Sequence, residues 1–544
     1  TFWIRGISTF GSNKSPLVLV DGAEGDLMKI NPNDVASISV IKDASAAAIY
    51  GARGAFGVIL ITTKSGKYNE KAEVSYNGYF SVSSPTTSTD YETRGYYSAK
   101  IADFFMMATQ NTSYTEADYK ALWERRNDKT ENPARPWVVT DRRNGRQQYV
   151  YLANFDWYNY LYDDSRPTWD HNINIKGGTK ALSYMVSGRY YQQKGVNRLE
   201  PDMFRSYNFR VKLQAEIKPW LTIASNTKFF QSNYKYYGYE DEYNNFRKPT
   251  LHALASFVPV NPDGTAVSHT SMTQSSTHYL MDGYSAMMQK GKSFGNKKTQ
   301  EITTTFEATF KLHKNFNIKA DFSYTQGYLH NDYRSVNVQY SQYPGEVMTE
   351  PEGSFPNKYK EVVWDQNYYV ADVYGTYNKT FSEKHNLTLI AGYNYEAKYY
   401  RDLTAANDGL LSEDLSDFNL AKGTTNFTLN GGRNEYAIMG WFYRAAYDYK
   451  GKYLAEVNGR YDGTSRFPRG KRYGFFPSFS AAYRISEEPF FELLRKAVDN
   501  LKIRLSYGSL GNQQIGYYDF IQTITTKGSM GDYSFDGTIL GQHA

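Results

Sequence analysis

The stretch Gly51–Ala52–Arg53–Gly54–Ala55–Phe56–Gly57 sets three glycines three residues apart, a spacing that lets backbone amides approach an anion closely. A phosphate loop needs more. The Lys-Ser/Thr pair that ends a P-loop is missing, as is the downstream acid of a dinucleotide fold, so the glycines point to tight turns rather than to nucleotide binding. Carboxylates such as Asp26 and Asp462 belong to no recognisable pair, and a glycosidase pair is defined by its separation across a cleft. The chain has no cysteine, which excludes disulfides and thiolate metal sites, and its 8 histidines show no HExxH-type pairing. No catalytic residue, metal or cofactor is expected. What remains is recognition. Residues 233–245 (NYKYYGYEDEYNN) offer Tyr234, Tyr236, Tyr237, Tyr239 and Tyr243 beside Asp241. Exposed rings of this kind stack on sugar faces, and the neighbouring acids and amides meet hydroxyls. The competing reading of the same loop is packing on its neighbours or on a partner protein.

The elements that position these residues read as strands. Mean hydropathy is −0.64, and no stretch approaches the ~20 apolar residues of a membrane helix. With 51 Tyr, 31 Phe and 8 Trp, the composition favours a transmembrane barrel, where amphipathic rings sit at both membrane interfaces. Composition alone leaves a β-rich sugar-binding protein open. The net charge of +6 is spread along the chain without the basic stripe that nucleic acid requires. From Glu73 onward apolar and polar residues alternate. In the run Tyr207–Ile217, Tyr207, Phe209, Val211, Leu213, Ala215 and Ile217 share one face against Asn208, Arg210, Lys212, Gln214 and Glu216. Tiny turns, at residues 177–180 and 449–452, alternate with long loops at 234–299, 337–361 and 401–433. That asymmetry marks an outer-membrane barrel, and the polar face implies a wet or plugged lumen. Roughly a dozen strands or a few more are expected. Trp441 and Trp364, near strand ends, read as interface-girdle residues. The chain begins at Thr1 without a signal peptide and ends in GTILGQHA, which forms no closing amphipathic strand, so the barrel is not expected to close within this sequence.

Residues 1–66 differ. Short apolar runs at Leu17–Val20, Ile38–Ile41 and Val58–Thr62 lie among Gly- and Asp-rich turns and read as a small mixed α/β unit with fully buried strands. An Ala-rich piece at 43–50 reads as a short helix, with Asp43 and Ser45 placed to cap its free amides. The segment NPNDVASISVIKDASAAAIYGARGAFGVILITTKSG resembles the plug domain of TonB-dependent outer-membrane transporters, with Ile4–Arg5–Gly6 and Pro16–Gly22 (PLVLVDG) matching earlier plug strands. Farther on, RYDGTSRF at 460–467, YGFFPSFSAAYRISEE at 473–488 and NLKIRLSYGSLGNQ at 500–513 resemble the SusC-like branch of Bacteroidota. The resemblance implies a transmembrane antiparallel β-barrel, 22-stranded in the family, with an N-terminal α/β plug in its lumen. Residues 1–66 would be the later part of the plug and 71–544 part of the wall, with the TonB box and closing strands outside this sequence. It assigns Arg5, Asp21, Asp43, Tyr50, Gly51, Arg53, Gly54 and Gly57 to the plug's structural and gating motif, Arg5 and Arg53 being bonded to acids of the wall. It further implies TonB-dependent import of oligosaccharides across the bacterial outer membrane with a SusD-like lipoprotein lid, surrounding lipid, and an assembly of two transporter–lid pairs. Oligopeptide import, or a ligand-sensing receptor or adhesin, stands as the alternative.

Overall fold

A computed structural model of the chain describes residues 16–42, 50, 53–54, 56–86, 88–106, 114–238, 240, 253–267, 291–349, 357–424, 426–513 and 515–521, and the backbone of 524–526, 534–535 and 538–542. The Ala-rich piece at 43–49 lies outside the described residues, as do Arg5, Asp43 and Gly51.

The first unit is a four-stranded sheet of β1 (Leu17–Val20), β2 (Ala23–Glu24), β3 (Val35–Ile41) and β4 (Val58–Thr63), in the order β2-β1-β4-β3. β1 and β4 pair in parallel, and the other pairs are antiparallel. The two central strands are buried on both faces. Leu17, Leu19 and Val58 pack with Tyr50 on one side, and Val20, Ile59 and Ile61 pack with Leu27 and Ile30 on the other. β3 corrects the expectation of fully buried strands: it is the edge of the sheet, and Ile38 and Val40 are exposed. A two-residue turn, Asp21 (φ 49°) and Gly22 (φ 92°), joins β1 to β2. Asp-Gly with both φ values positive is the hairpin geometry that matches strand twist.

The second unit is the wall. It starts with β5 (Glu73–Ser83), and after a long excursion carrying the hairpin β6 (Val138–Arg143) and β7 (Arg146–Tyr151) it resumes with β8 (Arg166–Gly178), β9 (Leu182–Lys194), β10 (Met203–Lys218), β11 (Leu221–Tyr237), β12 (Phe294–His313) and β13 (Phe316–Ser335). A second outlying hairpin, β14 (Gln339–Tyr343) and β15 (Glu346–Thr349), precedes β16 (Lys358–Phe381), β17 (His385–Asp408), β18 (Thr428–Tyr449), β19 (Tyr453–Thr464), β20 (Tyr473–Arg484) and β21 (Lys502–Gly508). Leaving out the two hairpins, these make one 13-stranded sheet in which each strand pairs with its predecessor and successor, antiparallel throughout. Register sorts the faces. Arg210, Lys228, Thr303, Thr325, Tyr368, Lys398 and Tyr436 stand opposite one another from strand to strand and share the inner face. Phe209, Leu213, Phe306, Val373 and Trp441 point the other way and are exposed.

Two wall features differ from the sequence expectation. β17 runs to Asp408 and β18 starts at Thr428, so strand extends into both ends of the expected loop at 401–433 and shortens the connection to 409–427. A strand needs only ~9–11 residues to cross a bilayer; beyond the membrane it has no lipid face to maintain, and the apolar alternation stops although the pairing continues. The long connections also fold together. α1 (Gly95–Met106), α2 (Glu116–Glu124) and α3 (Trp157–Leu161), with β6, β7 and residues 253–267, bury Leu122, Tyr151, Phe257 and Val338 in one core. Tyr151 lies in this core and Tyr114 packs against it, and burial of their hydroxyls pushes both phenols far above their ordinary value.

Candidate binding cavity above the plug

The four-stranded unit lies against the inner face of the wall through polar contacts. The Asp21 carboxylate accepts from the Thr63 amide (2.9 Å), the Thr63 hydroxyl (2.7 Å) and Asn226 Nδ2 (2.9 Å), and it pairs with Arg210. Burial works to raise the Asp21 pKa, but the charges of Arg210 and Lys212 and the Thr63 bonds outweigh it and hold the carboxyl below its ordinary value. Asn208 Nδ2 donates to the Lys29 carbonyl (2.8 Å), and Asn31 Nδ2 donates to Asn172 Oδ1 (2.7 Å). Asp34 is 3% exposed and accepts from the Ser187 hydroxyl at 2.9 Å; burial raises its pKa despite that bond.

Of the expected motif residues within the described part, Gly54 and Gly57 form the turn into β4. The Gly57 amide donates to the Gly54 carbonyl (3.1 Å), and the Gly57 carbonyl accepts from the Leu17 amide (3.1 Å) with φ at 89°. Tyr50 packs on the first face of the small sheet, and burial raises its phenol pKa. Arg53 Nη1 stands 2.5 Å from Oε1 of Glu396, an inner-face residue of β17 with no exposed surface. The Tyr368 hydroxyl donates to Glu396 Oε2 at 2.7 Å. Burial works to lower the Arg53 pKa, but Glu396, Tyr368 and Glu24 outweigh it and raise its pKa. Asp462, unpaired in the sequence reading, binds Arg460 at 2.5 Å, and Arg460 reaches Asn394 at 2.9 Å. Asp26 accepts from the Met28 amide (2.9 Å) and caps a turn of 3-10 helix.

Between this small sheet and the wall is a cavity of about 300 Å³. Glu24, Gly25, Asp26 and Lys29 form its floor, and Glu301, Thr325, Trp364, Gln366, Tyr368, Lys398 and Tyr436 form its sides. Lys29 and Glu301 pair across it at 2.5 Å. Trp364 lies 17 residues from the short-turn end of β16, whereas Asn226, which holds Asp21, lies 5 residues from that end of β11. The cavity therefore lies on the long-loop side of the Asp21 contact. Trp364 corrects the girdle expectation: it is on the lumen face and leans on Tyr400 at 5.9 Å, while Trp441, 63% exposed, is on the outer face. Parity could have found it. Positions 364, 366 and 368 are out of phase with the apolar face of Tyr369, Val373 and Tyr377.

The tyrosine-rich loop is described only up to residue 238 and at Glu240; Tyr239, Asp241 and Tyr243 lie outside the described residues. Tyr236, 3% exposed, stacks between Tyr234 (5.4 Å) and Tyr333 (6.5 Å), so both its ring faces are occupied. Tyr234 donates to Asp202 at 3.3 Å, and Tyr237 packs on the loop core. Glu240 binds Lys358 (2.9 Å) and Lys360; burial opposes its charge, but the two lysines keep its pKa below the ordinary value. Here the structure brings together rings that support the loops; of the rings that line the lower cavity, Trp364 is half-buried, while Tyr368 and Tyr436 are buried. Among the described residues no cluster of His, Asp or Glu could hold a metal ion.

Two family descriptions match the chain: TonB-dependent Receptor Plug Domain over residues 1–58, and TonB dependent receptor-like, beta-barrel over residues 282–535. The chain belongs to the TonB-dependent receptors, in their SusC-like branch. Among curated relatives, TonB-dependent receptor P3 of Formosa agariphila is 25% identical over 99% of this chain and 48% of its own length. TonB-dependent receptor SusC of Bacteroides thetaiotaomicron is 26% identical over 98% of the chain and 50% of its own length. The chain thus spans about half the length of these relatives. Among solved structures, the RagAB peptide transporter superposes with a TM-score of 0.75 at 22% identity, over 99% of this chain and 58% of that one, which establishes the shared fold. The small sheet is accordingly the plug, the 13-stranded sheet is barrel wall, and the protein resides in the outer membrane.

Proposed function

We propose that the full-length protein imports oligosaccharides across the outer membrane, driven through TonB and assisted by a SusD-like lipoprotein lid. The observation that carries this reading is the cavity above the plug, where the half-buried Trp364 stands among Gln366, Thr325 and Lys398, backed by the buried Tyr368 and Tyr436. Ring faces take the apolar faces of sugars, and amide, hydroxyl and charged groups take the hydroxyls around them. The cavity floor is plug backbone, so a solute held here rests on the part that must move for passage. A plugged wide barrel passes nothing by diffusion, so work has to be applied to the plug from the periplasmic side.

A second reading, oligopeptide import, has its own support. Glu24, Asp26, Lys29, Glu301 and Lys398 give the same cavity both signs of charge, which suits peptide termini and side chains, and the RagAB neighbour is a peptide importer. Calorimetric titration of the full-length transporter–lid complex with glycan and peptide libraries separates the two. Oligosaccharide binding that Trp364→Ala weakens is expected; tight peptide binding with no glycan binding would sink the first reading.

A further inference from the structure

One concavity among the described residues lies outside the lumen. It lies on the outer face of the wall, across β13 and β16–β20, and measures about 880 Å³. Register explains it. Gly375 and Ala391 are directly opposite on neighbouring outer-face positions, with Ala445 beside Leu389 in the next row, so the middle of this patch is built largely from small residues, and the Phe316 ring packs at the edge of Gly375. Large rings rise around that floor, with Phe316 and Tyr377 on the side nearer the short turns and Trp441, Tyr461 and Phe475 on the far side. Tyr377 is 4 residues from the end of β16 and Val373 is 8, which puts the groove in the half of the bilayer nearer the periplasm. That leaflet consists of phospholipid.

The polar groups at the mouth fit the same occupant. Continuing down the outer face by one alternation from Tyr377 comes Lys379, exposed and lying 4.7 Å over the Phe381 ring. One alternation below Ala445 comes Tyr447, whose hydroxyl is hydrogen-bonded to His385 Nδ1 at 2.6 Å. A strand rises ~3.3 Å per residue, so a cation and a phenol stand roughly 7 Å below an apolar trough. This is the layout of a phosphate above its acyl chains. The geometry points to a phospholipid site: one acyl chain of a periplasmic-leaflet phospholipid fills the groove, and its phosphate meets Lys379 and Tyr447. Lipid tails are as apolar as the wall, so water exclusion does not favour one bound chain over bulk lipid. Packing does, because chains passing over a hollow leave its rings without contact partners, while a chain lying in it makes them all. The lysine adds a charge attraction specific to the phosphate.

The test uses the full-length protein, extracted in mild detergent, exchanged against phosphatidylglycerol and weighed by native mass spectrometry. One strongly retained lipid per copy is expected. Ala445→Phe, which fills the groove, and Lys379→Glu, an exposed change that leaves the wall's packing intact, should each lower retention by about fivefold, the scale of one lysine–lipid charge contact. The heat-dependent gel shift of a folded barrel serves as the folding control. Equal retention in wild type and Lys379→Glu, with both folded, overturns the site and reduces it to ordinary annular lipid. A change of oligomeric state in Ala445→Phe with unchanged lipid count overturns it in favour of an interface between copies.

Discussion

Glu396 sits between Arg53 and the Tyr368 hydroxyl with no surface exposed to water, so its charge has no alternative partner in solvent, and the Arg53 side chain is only 13% exposed. Removing one member of such a pair leaves the other buried and alone, at a cost of about 3–5 kcal/mol. Glu396→Gln keeps the volume and removes the charge. Hydrogen exchange of the β4 amides should then accelerate in the full-length protein, because β4 follows directly on Arg53; unchanged protection would show that the pair does not seat the plug. The Arg53 half of this contact was legible from its motif, but the partner was not, because nothing in the local sequence distinguishes Glu396 from the other acids of β17. Trp364 is the opposite case. Its parity on the strand was readable, yet a tryptophan near a strand end invites a girdle reading. Trp364→Ala should weaken oligosaccharide binding by roughly 2- to 10-fold, the ~0.5–1.5 kcal/mol of one ring contact, with no change in barrel stability. A titration that gives equal affinity would remove Trp364 from the site.

Strand pairing was legible because each wall strand carries its own record of which face meets lipid. The loop core was not, because Leu122, Tyr151, Phe257 and Val338 come from connections far apart in the chain, and none of these carries a periodic pattern of its own. Two hairpin turns allow the plug and the loop module to be perturbed separately. Asp21–Gly22 joins the plug strands and Asn144–Gly145 joins β6 to β7, and all four residues have positive φ. A Cβ added at Gly22 or Gly145 would meet no atom within 4 Å, so the cost of alanine there is purely backbone strain, ~1–2 kcal/mol. The two variants should therefore be equally mild but differ in place. Gly22→Ala should raise exchange in β1 and β2 while leaving β7 protected, and Gly145→Ala should do the reverse. Loss of protection in both regions from either change would mean that plug and loops unfold as one unit.

At the scale of the whole molecule, the plug meets the wall through charges and hydrogen bonds rather than apolar packing, which suits a part that must leave its seat and return. Such a seat responds to pH, and its two buried acids respond in opposite directions. Asp21 has a folded-state pKa below its ordinary value near 3.8, so its contribution is complete above that pH and is lost as pH falls through the folded value. Asp34 has a raised value, so its contribution is present at low pH and is lost as pH rises through the folded value. Asp21 outweighs Asp34 in acid, because Asp21 pairs directly with the buried Arg210, whereas the direct partners of Asp34 are the uncharged Ser187 and Asn31, and Arg210, Lys64 and Arg189 act on it only as more distant charges. Full-length protein in a planar bilayer should therefore show steady low conductance at neutral and mildly acidic pH and increasing openings only below the ordinary carboxylate value near 3.8. Asp21→Asn should open more often already at neutral pH and lose the acid step, and Asp34→Asn should retain it. An acid step that persists in Asp21→Asn would assign the pH response to groups other than the Asp21–Arg210 contact.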